Sequence, residues 1–201
     1  MPYFDPNDIP DIEELNSSLF FLSASSDDVD AFASLLDSGM DPNTPDEYGE
    51  TPVTRAINEN ALGVVRLLLD RNVTLPHDAI ATAVGRGHVD LVHELINRGY
   101  DVNTPDSLSH TPLMTAALMG QAAEAALLVD AGARVELTDS TGMTALHHAA
   151  TSGSVQVIQI LLTHGATRDV TDHLGHRPVD WALDNNHSEA ASLLASEQTA
   201  V

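Results

Sequence analysis

Three histidines, His148, His173 and His176, lie close together in the C-terminal third of the chain, and imidazoles near one another can ligate zinc. No carboxylate or Cys completes a clear set around them, so no metal site is expected. His93 and Glu94 begin like the His-Glu-x-x-His helix of zinc proteases, but Asn97 stands where the second His is needed. The 201 residues include no Cys, which removes disulfides, thiolate nucleophiles and Cys-based zinc or iron–sulfur sites. All 8 basic residues are Arg, so a phosphate-binding loop, which needs Lys, is also absent. No Gly-x-Ser-x-Gly turn offers an acyl-transfer nucleophile. The chain is therefore expected not to be an enzyme and to use no cofactor.

Charge narrows the choice of partner. Thirty acidic residues against 8 basic ones leave a net charge of −22, and residues 1–50 hold 13 acidic residues and no basic one. Such a field repels phosphate backbones and anionic lipid, so nucleic acid and membrane surfaces are excluded as partners, and a basic protein is favoured. The first residues carry neither a basic stretch nor an apolar core like those of a signal peptide. No run approaches the roughly 18 apolar residues of a membrane helix, and a cytoplasmic monomer is expected.

The elements that position these residues repeat. Gly99, Gly132 and Gly165 recur at one interval, and the same interval separates Gly120 from Gly153 and Gly39 from Asn72. Before Gly99 and Gly165, apolar residues recur at helical spacing, and a left-handed Gly or Asn is a common way to close a helix. Upstream lies a second helix, started by Thr51-Pro52, Thr111-Pro112, Thr144-Ala145 and Arg177-Pro178. Thr caps, and Pro at the first helical position loses no hydrogen bond. Asp46 to Gly49, Asp139 to Gly142 and Asp172 to Gly175 are tight turns preceding these helices.

Turn, helix, short loop and helix at this period resembles the ankyrin repeat, most fully at Thr144-Ala145-Leu146-His147-His148-Ala149-Ala150. The resemblance implies an all-α solenoid of paired antiparallel helices with β-turn fingers. It divides the chain into an acidic segment 1–16, a capping repeat 17–43, repeats 44–76, 77–103 (shortened), 104–136 and 137–169, a C-terminal capping repeat 170–195, and a tail 196–201. Asp11 is expected to cap the first helix, and Leu15, Leu19, Phe20 and Leu22 to face the stack. The shortened repeat lacks the Asp-x-x-Gly turn, and its helix is expected to start near Pro76 or Asp78. In the fourth repeat Ser109 replaces the turn glycine: either it takes positive φ, costing on the order of 1 kcal/mol, or the turn differs. His88, His147, His164 and His187 match positions where the family favours structural histidines.

In this family the turns and first helices line a concave groove that binds other proteins. Carried onto this chain, the groove takes Glu47, Tyr48, Glu50 and Arg55 from the second repeat and Arg86 from the third. Leu108, His110, Leu118 and Met119 follow from the fourth, and Met143 and His148 from the fifth. His173, Leu174, His176, Trp181 and Asp184 complete it. Trp and Met are enriched at binding hot spots, so the C-terminal half of this groove is the expected contact. The resemblance implies a non-catalytic adaptor or scaffold. A stoichiometric, immunity-type inhibitor of a basic enzyme or nucleic-acid-binding protein is the alternative.

Overall fold

The computed structural model describes residues 12–106 and 108–196. The chain forms two compact units, divided between Pro76 and His77. The first contains α1 (Ile12–Ser26), α2 (Val29–Asp37), α3 (Pro52–Asn58) and α4 (Leu62–Asp70). The second contains α5 (Ala79–Gly85), α6 (Val89–Asn97), α7 (Pro112–Leu118), α8 (Ala122–Asp130), α9 (Ala145–Ser152), α10 (Val155–Thr163), α11 (Pro178–Asp184) and α12 (Ser188–Ala195). No helix among the described residues is long and apolar enough to cross a membrane.

Each unit is an all-α stack of paired helices. In the first, α1 packs on α3 and α2 on α4; in the second, α5, α7, α9 and α11 pack in order, as do α6, α8, α10 and α12. The inner faces explain the pairing. Ala116, Ala117, Ala149 and Ala150 are fully buried, and side chains that small let first helices approach closely. Leu91, Leu95, Leu128, Ile158 and Leu161 fill the layer between first and second helices. Truncating one of these to Ala would cost about 2–5 kcal/mol. In the first unit Phe20 and Phe32 stack at 4.4 Å and do the same work with larger rings.

The helix starts follow the sequence. Thr51 and Thr111 accept from the amides of Thr54 and Met114, with Pro52 and Pro112 at the first helical positions. The shortened repeat begins its helix at Ala79, directly after Asp78, with no Asp-x-x-Gly finger before it. Asn72 closes α4 at φ 57°, doing what Gly does elsewhere. Ser109 takes the strained option, at φ 65°.

One expectation at the N-terminus comes out differently. Leu15, Leu19 and Leu22 are exposed, at 48%, 44% and 60%, so only Phe20 of that set faces the stack. The reason is geometric: α1 is a first helix with one neighbouring first helix, α3, and buries a single face through Phe20, Ser23 and Ala24. Asp11 lies outside the described residues, and α1 itself begins at Ile12.

Candidate functional site

One device recurs before the first helices. Asp46, Asp106, Asp139 and Asp172 each use Oδ1 to accept the amides two and four residues on: Tyr48 and Glu50, Leu108 and His110, Thr141 and Met143, Leu174 and His176. One oxygen thus fixes the turn, an Asx arrangement. The other, Oδ2, is approached in three of the four by the residue nine positions on, at 3.7 Å by Arg55, 2.8 Å by His148 and 2.9 Å by Trp181, whereas the Thr115 hydroxyl donates to the Thr111 carbonyl. Nature varies that residue: Arg55, Thr115, His148 and Trp181.

At Asp139 the donor is His148, whose Nε2 lies 2.8 Å from Oδ2. His110 Nε2, from the preceding finger, approaches the same oxygen at 3.5 Å. The two rings meet edge to face, 5.2 Å apart. Asp139 and His148 are buried, whereas His110 is a quarter exposed. Burial pushes the Asp139 carboxyl up, but the Thr141 hydroxyl and amide, the His148 imidazole and the Met143 amide outweigh it and hold it at about 2. Burial also holds His148 below the ordinary imidazole range, with the Asp139 carboxylate opposing and His110 and His147 adding to the effect.

His147, the next residue, does structural work. Its Nδ1 accepts from the Thr144 amide at 3.1 Å, so the proton sits on Nε2, which donates to the His176 carbonyl at 3.1 Å. His187 likewise bridges repeats, its Nε2 lying 3.1 Å from the Thr151 carbonyl oxygen.

At Asp172 the donor is the indole of Trp181, with Nε1 donating to Oδ2 at 2.9 Å. The indole is half-buried, and His176 stands edge-on to it at 5.7 Å. Trp181, Met143, Leu174 and His173 with Ser140, Thr141 and Asp172 line a largely apolar cavity of about 340 Å³. Leu174, 74% exposed, forms part of its wall.

The remaining residues of the expected groove scatter. Tyr48 is 85% exposed and Glu47 is exposed beside it, while Glu50 and Arg55 pair at 2.5 Å and Arg55 lies over the Phe21 ring. Arg86 and Asp184 are exposed. Leu108, Leu118 and Met119 are exposed apolar side chains of the second unit. His148 is not a surface residue at all: it is 6% exposed and turned onto Asp139. Nor does it gather with His173 and His176, which belong to the Trp181 neighbourhood. The carboxylate thought to be missing is Asp139, and the second imidazole is His110. The signal for the Asp139–His148 pair was the nine-residue spacing from finger Asp to helix donor, repeated one period later as Asp172 and Trp181.

The comparisons with known proteins bear on most of the chain. A family model described as ankyrin repeats (3 copies) matches residues 72–139 and 125–201, and one described as ankyrin repeats (many copies) matches residues 19–69. Among curated proteins, nothing matches.

Proposed function

The chain belongs to the ankyrin-repeat family, and from that premise we propose that it is a non-catalytic adaptor that grips a partner protein on the finger and first-helix face of residues 77–201. Ankyrin repeats are generally protein–protein interaction modules. The observation that carries the finer reading is the apolar cavity between the last two fingers, walled by Met143, Leu174 and Trp181. Leu108 and Met119 on the neighbouring repeat add apolar surface that a monomer has no use for. An aromatic anchor with a hydrogen-bonded polar edge, ringed by Met and Leu, is the composition of a hot spot.

The test is site-specific photo-crosslinking in native lysate. A crosslinker at Leu174 captures a defined partner through high-salt washes, and one at exposed Gln156 on α10 does not. Equal capture at both positions would sink the reading.

A second reading has its own observation. Thirteen acidic residues and no basic one in residues 1–50 support an inhibitor that covers a basic protein. Much of this acid has local work: Asp27 accepts the amides of Gly63 and Val64, Asp28 caps α2, and Asp37 pairs with Arg71 at 2.6 Å. Asp30, Asp41 and Glu47 remain exposed to meet a cationic surface. Salt separates the two readings, because exposed charges are screened beyond about 8–10 Å at physiological ionic strength. A partner released by salt from a crosslinker-free capture favours inhibition.

A further inference from the structure

We propose that His110, His148 and Asp139 form a divalent transition-metal site, in which two imidazole nitrogens and one carboxylate oxygen converge from two successive fingers and helix α9. Among the described residues this is the one group of three or more such side chains whose ligand atoms all lie within 4.8 Å of one another.

The arrangement is preorganised. Asp139 Oδ1 is occupied by the Thr141 amide, the Thr141 hydroxyl and the Met143 amide, which pins the carboxylate and leaves Oδ2 to its other side. His148 stands on α9, its Nε2 directed at that oxygen. His110 presents its own Nε2 at 3.5 Å, too long for a good hydrogen bond. One carboxylate oxygen thus faces two ring nitrogens and fully satisfies only one of them. A metal resolves this imbalance, since each nitrogen then donates a lone pair to the ion instead of competing for the oxygen.

Both distances to the carboxylate oxygen fit the exchange, and the two ring nitrogens lie within 4.8 Å of each other. Zn–N and Zn–O bonds of about 2.0–2.2 Å in tetrahedral geometry place neighbouring ligand atoms about 3.3–3.5 Å apart. His110 already stands at 3.5 Å from Asp139 Oδ2, and His148, at 2.8 Å, must withdraw by about half an ångström. The other nitrogen of His110 faces the Asp106 carboxylate at 3.9 Å, the kind of outer carboxylate that orients a ligating imidazole. Two nitrogens and one oxygen suit Zn²⁺, Co²⁺, Ni²⁺ or Cu²⁺ over Mg²⁺ or Ca²⁺. With His110 partly exposed, the fourth position opens to water or to a side chain of a bound protein. A structural role would follow as well, because the ion staples the Asp106 finger to the Asp139 finger.

The experiment uses the full chain, stripped with chelator and titrated with Co²⁺ at about pH 7.5. One saturable equivalent is expected, with the visible ligand-field bands of four-coordinate Co²⁺, bleached by Zn²⁺ and unaffected by millimolar Mg²⁺. His110→Ala, at a partly exposed turn position that leaves the fold intact by circular dichroism, should weaken binding at least ~10-fold. Asp139→Asn, which keeps a carbonyl oxygen for the turn, should do the same. His93→Ala, at an exposed position on α6, should leave binding unchanged, and Zn²⁺ should raise the melting temperature of the parent chain but not of His110→Ala. No saturable binding, binding indifferent to His110→Ala, or equal loss in His93→Ala would overturn the site.

Discussion

Asp139 with His148 and Asp172 with Trp181 are the same construction one repeat apart, and they end in opposite surfaces. In both, Oδ1 closes the finger turn and Oδ2 receives a ring N–H from the helix nine residues on. With imidazole as the donor, the ring is buried and a second imidazole joins it, which makes a polar, titratable cluster. With indole, the ring is too large to disappear, and its apolar face walls a cavity. The repeat therefore holds the geometry constant and lets one side chain choose the chemistry. The finger at Asp46 carries the idea further: Arg55 stands 3.7 Å from Oδ2 but is drawn to Glu50 at 2.5 Å, so the pair becomes a surface ion network.

Breaking the buried member should have the largest effect. His148→Ala removes the donor from a buried carboxylate and leaves a cavity, and should destabilise the chain by about 2–4 kcal/mol in denaturant unfolding. A loss below about 0.5 kcal/mol would show that Asp139 needs no partner on Oδ2. The same site gives stability a pH dependence. His147 and His148 both titrate below the ordinary imidazole value in the folded chain, burial being the main cause in each. The groups facing them are Asp139, Asp172 and His110. As pH falls through about 6.5, the unfolded chain takes up protons that the folded one refuses, so their contribution is complete above that pH and declines below it. Unfolding in chelator at about pH 7.5 and pH 5.5 should show the lower midpoint at the acidic pH. Asp139, held at about 2, stays ionised across that window and adds nothing to the slope.

Breaking the half-buried member should be milder for stability and sharper for binding. Trp181→Phe keeps most of the ring and loses the 2.9 Å bond to Asp172, at about 1–1.5 kcal/mol. Leu174→Asp removes an exposed wall of the cavity, so unfolding should be unchanged while partner affinity falls by ~10-fold or more. Matching losses of stability and affinity in Leu174→Asp would make that residue structural and dissolve the contrast between the two fingers.

Most of the scaffold was legible because repeats write their punctuation in backbone-special residues. Thr-Pro starts, and Gly or Asn ends at positive φ, are demanded by the main chain itself, and Asn72 and the finger-less start at Ala79 fall where that logic puts them. The clusters were less legible, because they depend on where two fingers bring side chains that are distant in the chain. His110 and His148 are separated by more than one period, and nothing local pairs them. The exposed leucines of α1 failed for a related reason: amphipathic spacing says that a helix has an apolar face, not how many neighbours will cover it.

The finger at Asp106 offers the finest test, because it is the one that keeps the Asp clamp but not the glycine. Ser109 sits at φ 65°, where Gly49, Gly142 and Gly175 sit at 81°, 81° and 84° in the equivalent turns. A side chain in the left-handed region carries a steric penalty that Gly escapes. Ser109→Gly should therefore stabilise the chain by about 0.5–1 kcal/mol, less whatever the freer unfolded chain gives back. The reverse change is not symmetric. A Cβ on Gly142 would meet His173 Cδ2 at 2.7 Å and the His173 amide nitrogen at 3.0 Å, so Gly142→Ser adds a clash to the strain. If the two substitutions prove equal and opposite, backbone preference alone governs the fingers. If Gly142→Ser is clearly the costlier, the last two fingers are locked against each other through His173, as the cavity beside Trp181 requires.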